Sequence, residues 1–142
     1  MYEPYQATSS PNLKRTPPVA YPGEITDGMP GRWDAARVGA YLAQPLGWAD
    51  AHGIPRSRMV AAEFGCMRRL PFCPAYLEDV LTVLEGEKLH WAFYAFREDG
   101  WDGMDYELGG GPVPGRYWDA PMSVPRGPTP QFEPIRRRLL AR

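Results

Sequence analysis

Proline distribution constrains this chain more than any other feature. Seventeen of its 142 residues are proline, about 12% where about 5% is usual. Six fall between Pro4 and Pro30 and seven between Pro112 and Pro134. Each removes a backbone donor and disfavours helix at the residue before it. Both flanks are therefore expected to be loop-rich. Loops of that length in a compact domain serve a site or cover something, so regular structure has to come from the middle.

The middle has the needed patterns. Residues 33–42 read as a helix that Pro45 interrupts, with Leu46, Trp48 and Ala49 in a short further turn before Gly53. Residues 58–64 form an apolar run of strand length closed by Gly65, as suits a parallel sheet covered on both faces. Leu77, Val80, Leu81 and Leu84 recur at the spacing of one helix face. They predict a helix over 74–85, with Gly86 near its C-terminal cap. Residues 89–96 are aromatic-rich and read as a second strand. A terminal helix over 134–141 would turn Ile135, Leu139 and Leu140 inward. Strand, helix, strand, helix is the βαβα order of a parallel α/β sheet, its two strands neighbours across a right-handed crossover. One domain over residues 1–142 fits the length.

Composition excludes several classes. With 44% apolar and 13% aromatic residues a core can be built. A formal net charge of -1 lacks the basic excess of a nucleic-acid binder. No apolar run reaches the ~18 residues of a membrane-spanning helix. Met1-Tyr2-Glu3-Pro4 does not read as a secretory signal, and localisation stays open. His52 and His90 show no metal-ligand spacing. Asp99, Asp102, Asp105 and Glu107 lack the alternation of a calcium loop and read as solvated. No metal or cofactor is expected. Cys66 and Cys73 fit a bridge or two free thiols equally. Arg136, Arg137 and Arg138 read as a solvated helix face.

Glu63 stands apart. It closes the apolar run just before Phe64-Gly65, where burying a carboxylate is costly without a partner. The C-terminal end of a parallel strand is also where α/β barrels keep their chemistry. The structural alternative is an ion pair with Arg68 or Arg69.

Three segments in order now resemble one family. Ala62-Glu63-Phe64-Gly65 resembles the G-E-F-G segment that ends the seventh strand of glycoside hydrolase family 5, the cellulase family of (β/α)8 barrels. His90-Trp91-Ala92-Phe93-Tyr94-Ala95-Phe96 resembles its eighth strand, with the 101–109 segment as the loop that follows. Residues 1–5 are similar to the end of the sixth strand, an H-x-Y segment whose histidine would lie one residue before Met1. The resemblance implies a retaining glycosidase acting on β-linked polysaccharide such as glucan or mannan, with two carboxyl groups about 5–5.5 Å apart. It gives Glu63 the nucleophile role and Tyr2 that of the tyrosine orienting it. Trp91, Tyr94 and Trp101 become candidate sugar-binding aromatics, Tyr94 standing where the family often has tryptophan.

The match also departs from the family. Its acid/base lies in an Asn-Glu pair, whereas the single asparagine here, Asn12, precedes Leu13. A (β/α)8 barrel takes about 250 residues. The expected fold is thus a partial α/β TIM barrel, its last three βα units, strands six to eight. Such a piece should show no independent turnover, and it reads as a truncated gene product, a misplaced start, or a fragment that needs a missing N-terminal barrel half as partner. A non-catalytic carbohydrate-binding or interaction remnant using Trp91, Tyr94 and Trp101 is the alternative, and an unrelated small α/β protein a third.

Overall fold

The computed structural model describes residues 1–97, 101–113, 117–120 and 123–141. Among the described residues, four helices and four short strands alternate with 3₁₀ turns. They are α1 (Tyr5–Thr8), β1 (Gly23–Ile25), β2 (Gly31–Trp33), α2 (Ala35–Ala51), β3 (Val60–Ala61), α3 (Cys73–Gly86), β4 (His90–Trp91) and α4 (Glu133–Leu140).

The proline-rich N-terminal flank is loop-like yet pinned. Asn12 is fully buried. Its amide donates to the carbonyls of Ala7 at 2.7 Å and Val19 at 2.8 Å and accepts from Val19 N–H at 2.8 Å. This side chain supplies backbone partners that the prolines remove. β1 and β2 then close an antiparallel hairpin.

α2 runs unbroken through Pro45, although a stop is expected there. Val38, Leu42, Leu46 and Ala49 keep one buried stripe on both sides of the proline, and that face packs on α3. Apolar burial along the stripe outweighs one lost hydrogen bond and the ring's clash with the preceding turn. Asp34 caps the helix, its carboxylate accepting from Arg37 N–H at 3.1 Å. α3 buries Cys73, Tyr76, Leu77, Val80, Leu81 and Leu84, the spacing that predicted it.

β3 and β4 pair in parallel, Val60 with His90 and Ala61 with Trp91. Ladder bonds are fewer than the sequence led us to expect. Beyond the paired residues, Ala61 C=O accepts from Ala92 N–H and Phe64 C=O from Tyr94 N–H, both at 2.9 Å. Three residues on one strand thus oppose two on the other, which makes a bulge at Ala62–Glu63. On the far side of the same strand, Met1 N–H donates to Glu63 C=O, and Met1 C=O accepts from Gly65 N–H at 3.3 Å. That is a parallel pattern. The Met1 segment, the β3 segment and the β4 segment therefore lie side by side in one direction.

The terminal helix departs from expectation. Pro134 and Ile135 are buried, but Leu139 and Leu140 are exposed. Past the buried Pro134 and Ile135, α4 docks on acidic side chains of α3. Arg138 reaches Glu78 at 2.8 Å and Glu85 at 3.1 Å, and Arg137 reaches Glu78 at 2.8 Å. Arg137 and Arg138 are therefore docking groups, while Arg136 pairs with Glu133 on its own helix at 2.7 Å. Among the described residues no helix is long and apolar enough to cross a membrane.

Candidate active site

A cleft of about 310 Å³ opens where the Met1 segment, the end of the β3 strand and the end of the β4 strand meet. Its walls include Tyr2, Tyr5, Glu63, Met67, Tyr94, Trp101 and Met104. Four of the five site residues expected from the sequence come together here: Tyr2, Glu63, Tyr94 and Trp101.

The bulge presents Glu63 to the cleft. An extra residue re-aims the side chains around it, and Glu63 is exposed while the next residue, Phe64, is fully buried. Gly65 then lets other groups close in. A side chain there would meet the Tyr106 hydroxyl at 2.6 Å and the Tyr94 carbonyl at 2.8 Å. This is the local reason for glycine after Glu63-Phe64.

Tyr2 donates its phenolic hydrogen to Oε1 of Glu63. Its own backbone is fixed from behind, as Thr8 Oγ1 donates to the Tyr2 carbonyl. Burial, and then the bond to the carboxylate, push the Tyr2 phenol above its ordinary pKa. The proton therefore stays on Tyr2, whose hydrogen bond orients the Glu63 side chain. Tyr94 and Trp101 stand together with ring centroids 6.2 Å apart. Gly103 allows this arrangement, since a side chain there would collide with the Trp101 indole.

Arg68 holds the Trp101 loop in place, and the sequence reading missed that role. The side chain is completely buried. Its Nε donates to the Asp102 carbonyl at 2.7 Å, and Nη1 donates to the carbonyls of Gly109 at 2.5 Å and Gly111 at 2.7 Å. Nη2 pairs with the Asp102 carboxylate, which also takes Arg69 at 2.8 Å. Arg68 and Arg69 are thus engaged by Asp102, and Glu63 is not their partner. The only hint in the sequence was Gly109-Gly110-Gly111, a run of carbonyls unshielded by side chains.

Cys66 and Cys73 form a disulfide, Cα atoms 5.7 Å apart, that ties the segment after Glu63 to the start of α3. The remaining acidic loop residues serve ion pairs. Asp105 holds Arg126 at 2.9 Å and Glu107 holds Arg97 at 2.6 Å; Asp99 lies outside the described residues. Among the described residues no cluster of three His, Cys, Asp or Glu is arranged to hold a metal.

Trp91 does not belong to the cleft. It is 9% exposed and packs edge-on against Phe64 in the core, at 6.2 Å between centroids. Side chains alternate along a strand, so Trp91 and Phe93 turn toward the packed side while Tyr94 turns to the cleft. Trp91 offers no free face to a sugar. His90 is exposed and does not line the cleft either. Glu63 is the only carboxylate among the described residues that line it.

A strand-end carboxylate therefore faces a pair of aromatic rings across one cleft. The chain is similar to the solved structure of an endoglucanase, with a TM-score of 0.50 and 18% sequence identity. The likeness covers 73% of this chain and 31% of that one, so the chain spans about a third of that neighbour's length. At this identity the likeness bears on the fold. No protein-family model matches the sequence, and no curated protein matches it.

Proposed function

We propose that this chain carries the nucleophile half of a cellulase-like retaining glycosidase site, on the last three βα units of a (β/α)8 barrel of the family 5 kind. One observation carries the reading: an exposed carboxylate at the end of a parallel strand, hydrogen-bonded by Tyr2 and faced by Tyr94 and Trp101. The likeness to an endoglucanase supports a β-linked glucan as ligand. A free oxygen of Glu63 attacks the anomeric carbon of a sugar stacked on Trp101. A Glu63–sugar ester bond forms as the bond to the leaving oxygen breaks, and that oxygen takes the electron pair. With no second carboxylate among the described cleft residues, no group protonates a poor leaving group there. The acid/base carboxylate comes from a partner that supplies the N-terminal barrel half.

This reading has a sharp test. 2,4-Dinitrophenyl β-cellobioside has a leaving group stable as an anion, so it needs no acid. The 142-residue chain should release a burst of dinitrophenolate matching the enzyme concentration, then stall. Azide, a nucleophile that needs no base, should restore turnover. Glu63→Gln should abolish the burst, while unactivated glucan stays uncut by the chain alone. A second reading rests on the lone carboxylate: a non-catalytic carbohydrate-binding remnant. It requires glucan binding through Tyr94 and Trp101 with no burst.

A further inference from the structure

Tyr106 is a buried side chain that neither the sequence reading nor the chemistry at Glu63 uses. It opens the 3₁₀ turn Tyr106–Leu108 in the Trp101 loop and is 1% exposed. Its hydroxyl reaches back forty positions to Cys66, three residues after Glu63. There it accepts from the Cys66 N–H at 3.1 Å and donates to the Cys66 C=O at 3.3 Å. Burial raises the phenol above its ordinary pKa, so the hydroxyl keeps its proton. Among the described residues no backbone group bonds the Cys66 N–H or C=O.

We infer that Tyr106 is a positioning residue for Glu63, a strut through which the Trp101 loop holds the backbone behind the nucleophile; the inference rests on the glycosidase reading above. Three features support it. Gly65 is a soft link between Glu63 and Cys66, because glycine restricts its backbone least. The space left by its missing side chain is the space the Tyr106 hydroxyl occupies, 2.6 Å from where a Cβ would stand. Bonding both the N–H and the C=O of Cys66 fixes the two peptide planes after that link. Second, the strut is anchored at its other end. Thr129 Oγ1 donates to the Tyr106 C=O at 2.6 Å, and the Tyr106 ring stands 6.2 Å from that of Phe93. Third, Tyr106 does not line the cleft. It acts on the relative placement of Glu63 and Trp101 without touching what lies between them. An attacking oxygen misplaced by about 1 Å can cost about 100-fold in rate, so a strut of this kind acts on the chemical step and leaves binding alone.

The burst of dinitrophenolate from 2,4-dinitrophenyl β-cellobioside, followed by stopped flow over a range of substrate concentrations, tests this on the 142-residue chain. It separates the burst rate at saturation from the half-saturating concentration. Tyr106→Phe keeps the ring and removes both hydrogen bonds. It should lower the saturated rate about tenfold and leave the half-saturating concentration unchanged. Thr129→Val loosens the far end of the strut and should produce a smaller loss of the same kind, about threefold, which keeps the test decisive if Tyr106→Phe does not fold. Val80→Ala, in the buried face of α3, lowers stability through a cavity and should leave both quantities as they are. The strut is refuted, with the glycosidase reading intact, if the unaltered chain gives the burst and the folded variants match its saturated rate. It is also refuted if they change the half-saturating concentration alone, or if Val80→Ala slows the burst as much as they do. If the unaltered chain gives no burst, the glycosidase reading falls and the strut with it.

Discussion

The Tyr2 hydroxyl donates to Oε1 of Glu63 across sixty-one positions of sequence. That single bond joins the first residues of the chain to the end of the β3 strand, and it fixes the direction of the carboxylate. Tyr2→Phe keeps the ring and removes the donor. A hydrogen bond to a charged group contributes about 1.5–3 kcal/mol, so the dinitrophenolate burst should slow by about 10- to 100-fold. The sign with pH follows from the raised phenol pKa. The bonded, neutral form is fully present below the ordinary tyrosine value of about 10 and is lost only as pH rises past the higher folded value. In a difference titration at ~295 nm, the step missing from Tyr2→Phe should fall above that of the exposed tyrosines.

Gly65 leaves space that a methyl group would fill. Gly65→Ala puts a carbon against the Tyr94 carbonyl and the Tyr106 hydroxyl. Overpacking of that kind destabilises by about 1–3 kcal/mol, so the urea midpoint should drop clearly. Gly47→Ala, in the middle of α2 with nothing within 4 Å of the added carbon, should hold or raise it.

Arg68 and Arg69 share Asp102 but differ in burial, 0% against 39% exposed. Removing one partner of a buried pair typically costs about 3–5 kcal/mol. Arg68→Met should therefore lower stability strongly and shift the emission of Trp101, isolated by subtracting Trp101→Phe. Arg69→Ala loses an exposed contact and should change stability by less than about 1 kcal/mol.

Acid should loosen α4 before the core. Its hydrogen bond to Arg138 holds the Glu78 carboxyl below the usual range. Because the folded value is depressed, this stabilisation is complete above the ordinary glutamate pKa of about 4.3 and disappears as pH falls through the lower folded value. Amide exchange in α4 should rise below that point while α3 stays protected. Since these groups are partly exposed, high salt should produce part of the same loosening at neutral pH.

Different features were legible in the sequence to different degrees. The α3 stripe at Leu77, Val80, Leu81 and Leu84 was readable because a helix with one buried face leaves a 3.6-residue period. The convergence of Tyr2, Glu63, Tyr94 and Trp101 was implied by the resemblance of three ordered segments to one family, whose neighbouring parallel strands end on one side. Pro45 misled because proline's effect is local, whereas the stripe from Val38 to Ala49 spans both sides of it. Trp91 misled because aromatic richness does not say which face of a strand is packed. Arg68 was opaque for a different reason. Its partners are mostly backbone carbonyls 34 to 43 residues away, and carbonyls carry no signature in a sequence. The open face of α4 was hidden in the same way, since its leucines suggested apolar docking where Glu78 and Glu85 on α3 select arginine.

Trapping the nucleophile tests the central claim most directly. Incubating the chain with 2-deoxy-2-fluoro-β-cellobiosyl fluoride, whose leaving group also needs no proton, should add one fluorocellobiosyl group per chain. Peptide mass mapping should find it as an ester on Glu63, with Tyr2→Phe labelling more slowly and Glu63→Gln not at all. A chain that binds cellohexaose yet stays unlabelled, or carries the label on another residue, would contradict the account.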